Sequence, residues 1–389
     1  MDSTLMVNKV LNLEKTSWKL TKVGDLAKDI SKRVDNPGES EYDRFVSLRN
    51  FVAGDIKIKT WEPTENLASS AKAFKAGDIL FARRNAYLRR ASLVDFDGCC
   101  SGDAFVLREN HDKIVPGFLA FLMNSNALWD YANSNAAGTM SKRVKWRDLA
   151  EYEFLLPPKD QQAQLAKLLW AMDELIEKEK MLYDSIETCK LALEKSSLSE
   201  IDISSGIPTE TFFDRVTDGT HDTPKKRSEG YRLLTSKNIK DNKLDLNTDY
   251  FISEFDYQAV NKRSKPDIND ILFGMIGTVG QVSRIDTEPN YAIKNMGLFK
   301  TNDELKSKIG FHFFKSRQFQ HKLISKLSGT TQKYVSLAYL RSLKMPDPED
   351  PGVLEWLEKS EYFDSTIETV NTKLVINKSL QKSLINQIF

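Results

Sequence analysis

The sequence has few of the residues that build disulfide frameworks or metal sites. Its three cysteines, Cys99, Cys100 and Cys189, are odd in number and show no Cys-x-x-Cys spacing. They favour free thiols and a reducing, cytoplasmic setting. The four histidines are scattered without the spacing of metal ligands. No apolar run approaches the about 20 residues that span a bilayer, and no basic region followed by an apolar stretch opens the chain, so we expect no secretory signal.

Motifs of catalysis are also missing. The chain has no GxxxxGK[ST] phosphate loop, no GxSxG, no HExxH and no Asn/Asp-Pro-Pro-Tyr/Phe tetrapeptide. The glycine-rich run over residues 274–280 has no lysine after it and is more typical of a hairpin than of a phosphate cradle. We therefore expect no catalytic residue, no metal and no cofactor bound by this chain.

The chain also has no large excess of positive or negative charge. The chain has 56 Lys and Arg against 55 Asp and Glu, and a net charge of +1. The globular parts are mildly basic and the connecting segments are acidic, which is compatible with a basic face for phosphates or with ordinary surface scatter. A mean hydropathy of −0.44 and a hydrophobic content of 40% indicate a soluble globular protein.

What the sequence does contain is an internal repeat of nearly half its length. Gly138-Thr139 recurs as Gly329-Thr330, a step of 191 residues. Matching positions continue on both sides, with small drifts that indicate loop insertions: Asp78-Ile79-Leu80-Phe81 with Asp270-Ile271-Leu272-Phe273, Arg49-Asn50 with Lys237-Asn238, and Asp173, Ile176 and Leu193 with Asp364, Ile367 and Leu384. A long unit present twice is a duplicated module, and it predicts two similar sites related by a pseudo-twofold axis.

Each repeat combines short β-rich runs, one helical stretch and a following long helix. We predict an α+β fold, in which two similar globular α/β domains are separated by two long antiparallel coiled-coil helices. The predicted boundaries are an N-terminal arm over residues 1–14, a first domain over 15–157, a first long helix over 158–200, a second domain over 205–347 and a second long helix over 348–389.

The long helices carry apolar residues at spacings of three and four. The predicted seams comprise Leu165, Leu168, Met172, Leu175, Leu182, Ile186, Cys189 and Leu193 in the first helix, and Phe363, Ile367, Val370, Leu374, Leu384 and Ile388 in the second. Glu179 and Asn377 interrupt them, and a polar residue in a seam can fix its register. Trp170 and Leu191 fall outside the first seam, which indicates either a partner surface or packing on the chain's own domains.

Basic and amide side chains cluster at turns in both repeats. Arginine can form paired hydrogen bonds with guanine, and asparagine or glutamine with adenine, so such loops can read base edges and hold phosphates. The predicted DNA-contacting residues are Arg49, Asn50, Arg83, Arg84, Arg89, Lys142, Arg143 and Lys145 in the first repeat, and His221, Lys237, Asn238, Arg263, Lys294, Gln332, Lys333 and Tyr334 in the second.

These segments resemble a known family. "DGTHDTPKK", "GYRLLTSKNIKDNKLDL", "INDILFGMIGTVGQVS" and "GTTQKYVSLAYLRSLKMPDP" in the second repeat, with "FVSLRNF", "AGDILFARRNAYLRRAS" and "GTMSKRVKWRDLAEYEFLLPP" in the first, are similar to the specificity subunits of type I restriction–modification systems. The resemblance covers the chain from about Leu13 to Phe389. The first repeat lacks the Asp-Gly-Thr-His turn of the second.

The resemblance implies a non-catalytic DNA-recognition subunit. Each globular domain would be a target-recognition domain that reads one half of an asymmetric bipartite DNA site. The expected partners are double-stranded DNA, two methyltransferase subunits, which bind S-adenosylmethionine and methylate adenine, and restriction subunits with translocase and nuclease activity. Two alternatives stay open. One is a self-sufficient DNA methyltransferase or nuclease, which labelled S-adenosylmethionine would reveal. The other is a coiled-coil adaptor that binds no DNA.

Overall fold

The computed structural model describes residues 13–329 and 333–389, and the side chains of 198–200 are outside the description. The chain divides into two compact units. The first consists of the residues up to Leu182 together with Val370–Phe389, and the second is Tyr183–Thr369. Each unit thus contains one globular domain and the adjoining parts of both long helices. The mixed helix and strand composition and the two long helices confirm the predicted fold class, while the exact domain boundaries stay predictions.

The first domain is built on three antiparallel or mixed sheets. Their orders are β1-β11, β2-β10-β7-β8 and β3-β6-β9-β4-β5, in which only the β4–β9 pair is parallel among the described strands. The strands are β1 Lys19–Lys22, β2 Ala27–Asp29, β3 Arg33–Val34, β4 Arg44–Val46, β5 Glu62–Pro63, β6 Ala71–Phe74, β7 Ile79–Ala82, β8 Ala91–Leu93, β9 Gly98–Cys100, β10 Ala104–Glu109 and β11 Glu153–Leu156.

Short helices cover one side of these sheets, and a long helix follows. They are α1 Val23–Leu26, α2 Leu119–Leu122, α3 Asn126–Ser134 and α4 Trp146–Ala150, with α5 running over Lys159–Glu200. Short 3-10 turns lie at Pro37–Glu39 and Ala86–Leu88. The Ser125 hydroxyl accepts a hydrogen bond from the backbone N–H of Leu128 at the start of α3, which fixes where this helix begins.

The second unit repeats this plan. Its sheets are β12-β22, β13-β21-β18-β19, β17-β14-β20 and β15-β16, with β14 and β20 parallel. The strands are β12 Ile207–Pro208, β13 Arg215–Asp218, β14 Tyr231–Thr235, β15 Ile239–Lys240, β16 Lys243–Leu244, β17 Phe251–Ile252, β18 Ile271–Gly274, β19 Val282–Arg284, β20 Tyr291–Lys294, β21 Met296–Lys300 and β22 Lys344–Met345. The helices are α6 Thr209–Phe212, α7 Glu254–Ser264, α8 Glu304–Lys315, α9 Arg317–Ile324, α10 Leu337–Arg341 and the long α11 Pro351–Ile388, and 3-10 turns lie at Ile203–Ser205 and Ser236–Asn238.

The repeated Asp-Ile-Leu-Phe motif lies on the central strand of the main sheet in each unit. Alternate side chains of a strand point to opposite faces. In β7, Ile79 and Phe81 join one apolar core while Leu80 and Ala82 join another, so the whole run is buried because both faces of the strand are covered. Leu272 and Phe273 of β18 divide in the same way.

The aspartate that opens this motif is a buried anchor. The two carboxylate oxygens of Asp78 accept hydrogen bonds from Arg108, both at 2.7 Å. In the second unit, Asp270 accepts one from Lys300 at 2.6 Å and another from the backbone N–H of Thr301. Each carboxylate ties the turn before the central strand to the neighbouring strand, and its cation compensates a charge that burial alone would make costly.

The two long helices run antiparallel within each unit. In the first unit, Asn377 Nδ2 donates to both carboxylate oxygens of Glu179 at 2.9 and 3.0 Å, and Gln381 contacts Asp173. In the second unit, Lys190 of α5 pairs with Asp364 of α11. The two polar interruptions of the predicted seams therefore face and bond each other.

The predicted seam is correct for the second helix and partly wrong for the first. Val370, Leu374, Leu384 and Ile388 are buried. In α5, by contrast, Leu168, Leu175 and Leu182 are 37%, 46% and 51% exposed, and Cys189 is exposed as well. The reason is that α5 packs on the globular domain through Leu165 and Leu169, so its buried stripe is rotated away from these leucines.

We expect the Glu179–Asn377 pair to behave as a coupled unit. Replacing Asn377 by leucine removes both hydrogen bonds that its Nδ2 donates to the half-buried carboxylate of Glu179 and should cost about 1–3 kcal/mol of unfolding free energy. Replacing both residues by leucine should restore most of that loss, because neither polar group is then left unpaired. A double-mutant cycle by urea denaturation measures this, and additive single effects would contradict the pairing.

Candidate nucleic-acid interface

Gly138 and Gly329, the first residues of the repeated Gly-Thr pairs, each begin a segment, here called the Gly-Thr loop, that is closed by the same pair of backbone hydrogen bonds. Ala137 and Arg143 exchange N–H···O bonds of 3.0 and 2.9 Å, and Ser328 and Tyr334 do so at 3.0 and 2.9 Å. The two pairs correspond in the repeat, because Ser328 and Tyr334 come 191 positions after Ala137 and Arg143. The Gly138 and Gly329 backbones have φ of 124° and 92°, a region that glycine enters without steric cost.

A second turn, four residues long, follows β4 and β14. In the first unit, the backbone N–H of Ser47 donates to Asn50 Oδ1 at 2.8 Å. In the second, the N–H of Thr235 donates to Asn238 Oδ1 at 3.0 Å. These asparagines shape the turn with their side-chain oxygens, and their contact with DNA stays a prediction. Their neighbours Arg49 and Lys237 point outward and are exposed.

The turn and the Gly-Thr loop are tied together in each unit. Arg90 Nη1 donates to the Leu48 carbonyl at 2.8 Å, and the backbone N–H of Asn85 donates to the Lys142 carbonyl at 2.9 Å. In the second unit, the Thr278 hydroxyl donates to the Ser236 carbonyl, and the N–H of Gly277 approaches the Lys333 carbonyl at 3.4 Å. The segment after the central strand thus joins both loops into one surface.

Some of the predicted side chains on these two surfaces have no polar partner. They make no hydrogen bond or ion pair with residues 13–329 or 333–389, and all of them are exposed: Arg49, Lys142 and Lys145 in the first unit, and Lys237, Lys333 and Tyr334 in the second. Arg49 corresponds to Lys237 and Lys142 to Lys333 in the repeat. Equivalent loops therefore present equivalent unpaired cations, as phosphate binding requires.

Other predicted residues of the first repeat are held by the chain itself. Asp103 accepts from Arg143 Nε at 2.9 Å and lies 3.6 Å from Arg84 Nη1. The hydrogen bond from Arg143 is the main reason that the pKa of Asp103 is below its usual range. Arg89 bonds Asn126 and Asp130, both at 2.7 Å, and Arg83 lies over the Phe105 ring. These four arginines brace the loops, and their contact with DNA stays a prediction.

The second repeat has a polar cluster around His221. Its Nε2 is 2.8 Å from Asp218 Oδ2 and its Nδ1 is 2.9 Å from Asn295 Oδ1. Arg263 bonds the other oxygen of Asp218, and Lys294 bonds the Thr223 hydroxyl. The Ser236 hydroxyl donates to the Asn295 carbonyl, so the cluster adjoins the turn. The predicted Gln332 lies outside the described residues.

Trp170 does not form the exposed surface that its position in the helix suggested. Its ring packs on Phe121 with centroids 4.7 Å apart and lies so close to Gly117 that a Cβ there would approach it to 2.9 Å. Trp170 thus packs on the chain's own domain, one of the two alternatives left open by the sequence, while it stays partly exposed, and its contact with a partner stays a prediction. Leu191 is 41% exposed, and its role in a partner contact stays a prediction.

Sequence reasoning missed the residues that organise these loops. Asp103 pairs with arginines 19 and 40 positions away, and no local pattern marks such a contact. Arg90 and Thr278 donate to matching carbonyls, those of Leu48 and Ser236, from positions of the repeat that do not correspond. Only their position after the repeated central strand could have pointed to them.

The described part of the chain offers few groups for nucleophilic or metal chemistry. Burial raises the pKa of the Cys99 thiol to about 11 and that of Cys100 further still, which makes thiolate reactivity unfavourable. Within the described ranges, no three His, Cys, Asp or Glu side chains are grouped as metal ligands would be. No helix in the described part of the chain is long and apolar enough to cross a bilayer.

The fold and these loops define a duplicated protein with one basic loop surface in each half. The family model of the type I restriction modification DNA specificity domain matches residues 15–188 and 220–376, and the chain belongs to this family. The resemblance inferred from the sequence is thereby confirmed.

Curated relatives match over shorter segments. The chain is 27% identical to the specificity subunit of the type I restriction enzyme EcoDI of Escherichia coli, over 30% of this chain and 26% of that protein. It is 25% identical to the HindI specificity subunit of Haemophilus influenzae, over 48% of this chain and 42% of that protein. The matched segments thus span less than half the length of these relatives.

Solved structures share the fold over nearly the whole chain. The type I restriction–modification S subunit from M. genitalium superposes with a TM-score of 0.63 at 14% identity, covering 97% of this chain and 98% of that one. A chain from a structural study of complex assembly and conformational transition in a type I R-M system gives 0.59 at 17% identity, covering 96% and 97%. At this identity the likeness concerns the fold.

Proposed function

We propose that this chain is the non-catalytic DNA-recognition subunit of a type I restriction–modification complex. Each globular domain reads one half of an asymmetric bipartite site through its paired loops. The observation that carries the proposal is the recurrence of unpaired, exposed cations at equivalent loop positions, Arg49 with Lys237 and Lys142 with Lys333. Two unlike loop sets on one scaffold suit two different half-sites, because base contacts depend on the side chains that each loop presents.

The paired side chains have a supporting role in this function. Arg143 and Arg84 share Asp103, and His221 is held between Asp218 and Asn295. Such contacts fix loop geometry before binding, so less ordering entropy is lost when DNA docks. Lys142 and Lys333, whose side chains are unrestrained, fit phosphates, for which a point charge suffices.

Alanine at Lys142 or at Lys333 should weaken DNA binding to a similar extent on all sequences. Each substitution removes one phosphate contact and should reduce the slope of log affinity against log salt by about one unit. Titrations of the assembled complex from 50 to 200 mM salt measure this. The matched control is Lys75, an exposed lysine in the turn before β7, whereas the predicted interface loops lie after that strand. Unchanged slopes for both loop variants, or an equal change for Lys75→Ala, would refute the interface.

We also propose that two methyltransferase subunits bind this chain and supply S-adenosylmethionine and adenine methylation, and that restriction subunits join them. The cytoplasm is the compartment where such a complex meets DNA. Leu168, Leu175 and Leu182 support a partner surface, because they recur every seven residues on α5 and are exposed in the isolated chain. A heptad stripe of leucines is typical of a surface covered by another helix.

Glutamate at both Leu168 and Leu175 should abolish assembly with the methyltransferase subunit and leave the chain folded. Burying two carboxylates against an apolar helix is strongly unfavourable, whereas in the free chain both positions face water. Size-exclusion chromatography of the mixture and circular dichroism of the chain measure the two effects. Leu20→Glu, on an exposed position of β1, should leave assembly intact. Normal assembly by the double variant would exclude this surface.

A further inference from the structure

The second unit contains a carboxylate with two lysine partners. Asp364 of α11 forms ion pairs with two lysines. The Nζ of Lys190 in α5 lies 2.6 Å from Asp364 Oδ1, and the Nζ of Lys315, the last residue of α8, lies 2.5 Å from Oδ2. Burial alone would raise the pKa of Asp364, but the two ammonium groups lower it overall. Both oxygens of this carboxylate are thus neutralised by side chains of the same unit.

The equivalent carboxylate of the first unit is Asp173, and both of its lysines are replaced. Gln381 stands where the repeat has Lys190, and Asn124 stands where it has Lys315. The alignment at Asn124 is exact in the structure, because Ser125 and Ser316, the next residues, cap the following helices in the same way. The first unit therefore has the acid without either of the two lysines.

Asp173 is consequently a buried carboxylate with an unused oxygen. The residue is 6% exposed. Its Oδ1 accepts a weak hydrogen bond from Gln381 at 3.3 Å, and its Oδ2 has no partner in the described part of the chain. Burial raises the pKa of Asp173. A buried acceptor without a donor is costly and uncommon in folded proteins.

A cavity of about 260 Å³ lies between Asn124 and Asp173, which both line it. It is lined by Asp173, Asn124, Ile176, Trp129, Gln381 and Ile385, among others. Asn124 does not reach across it, because its amide donates to the carbonyls of Ala91 and Ala120. An engineered apolar cavity of about 150 Å³ already admits benzene, so this cavity has room for a short alkyl chain.

The basic residues of the lining are paired with acids or exposed to water. Lys59 pairs with Asp55 at 3.1 Å and lies 3.9 Å from Glu177. Lys57 also lies 3.9 Å from Glu177. Arg89 pairs with Asp130. Lys378 and Lys382 are exposed residues of α11, where water screens their charge. The innermost charge, at Asp173, is left for a cation that enters from outside.

We propose that this cavity binds a primary alkylammonium group, which donates to Asp173 Oδ2 as Lys315 donates to Asp364. The group can belong to a free polyamine or to a lysine side chain of a partner, since both end in an ammonium on a short methylene chain. The alkyl part contacts Ile176, Trp129 and Ile385, and the ammonium occupies the polar end of the cavity.

Calorimetric titration of the full chain with n-butylammonium chloride tests the proposal. We expect saturable binding and, at ten times the dissociation constant, a rise in Tm of about 3 °C over sodium chloride of equal ionic strength. Tetramethylammonium, which cannot donate a hydrogen bond, should give no such rise. Asp173→Asn and Asn124→Lys should both lose binding, the first by removing the acceptor and the second by filling the cavity with its own ammonium.

Chemical rescue in the second unit provides the matched control. Lys315→Asn gives the second unit the asparagine of the first and removes the lysine from Asp364 Oδ2, while Lys190 stays on Oδ1, so the variant should gain a second n-butylammonium site. Putrescine binding at least tenfold tighter than n-butylammonium would assign the site to a free diamine, and equal binding would assign it to a lysine side chain. Absence of saturable binding to the unsubstituted chain, or binding that Asp173→Asn leaves unchanged, would overturn the proposal.

Discussion

Replacing Asp364 by asparagine is expected to lower the free energy of unfolding by about 3 kcal/mol. Lys190 and Lys315 each have less than a fifth of their side chain exposed, at 16% and 18%. Without the carboxylate, two ammonium groups stay partly desolvated and close to each other, and among the described side chains Glu194, 3.6 Å from Lys190, is the acid that remains within 4 Å of one of them. Urea denaturation followed by circular dichroism measures the loss.

The equivalent substitution in the first unit should act in the opposite direction. Asp173→Asn replaces a buried carboxylate that lacks a cation by a neutral amide of the same shape, so we expect unchanged or slightly greater stability near neutral pH. The two variants change the same position of the repeat and differ only in the partners around it. Equal destabilisation by both would show that the lysines of the second unit do not matter.

The pH dependence separates the two aspartates further. The pKa of Asp364 is lowered, so its contribution is present at neutral pH and is lost as the pH falls through that lowered value. The pKa of Asp173 is raised, so the cost of charging it is fully present above that raised value and disappears below the ordinary aspartate range. The stability difference between Asp173→Asn and the unsubstituted chain should therefore vanish on acidification.

Replacing residues 15–157 by the matching domain of a relative should change one half of the recognised DNA sequence and leave the other half as it was. The physical reason is that each unit has its own core and its own pair of tied loops. The first core centres on Phe81, Phe105 and Trp129, and the second on Phe273, Phe299 and Trp356. Base contacts made by one set of loops need no residue of the other set.

Much of the fold could be predicted because the sequence contains the same module twice. The Asp-Ile-Leu-Phe strand and the Gly-Thr loop recur at nearly fixed distances, and matching positions in a duplicated module adopt matching structures. The long helices were predictable from uninterrupted three- and four-residue spacings. The covered face of α5 was not, because Leu165 belongs to two adjacent stripes and only the tertiary packing selects the one that contains Leu169.

The loop contacts could be predicted only in part. Sequence marks where basic residues cluster, and Lys142 and Lys333 are exposed and unpaired as phosphate contacts should be. It does not mark that Arg143 and Arg84 share Asp103, since that carboxylate comes from a distant turn. Trp170 illustrates the same limit: its position on the helix left a partner surface and packing on the chain's own domains open, and only the structure shows that it contacts Phe121 and Gly117.

The most direct test of the central claim, one half-site for each globular domain, is to map methylated adenines in cells that carry this system and in cells with residues 15–157 exchanged. We expect both maps to give bipartite motifs that share one half-site and differ in the other. Two motifs that differ in both halves, or two identical motifs, would contradict the claim.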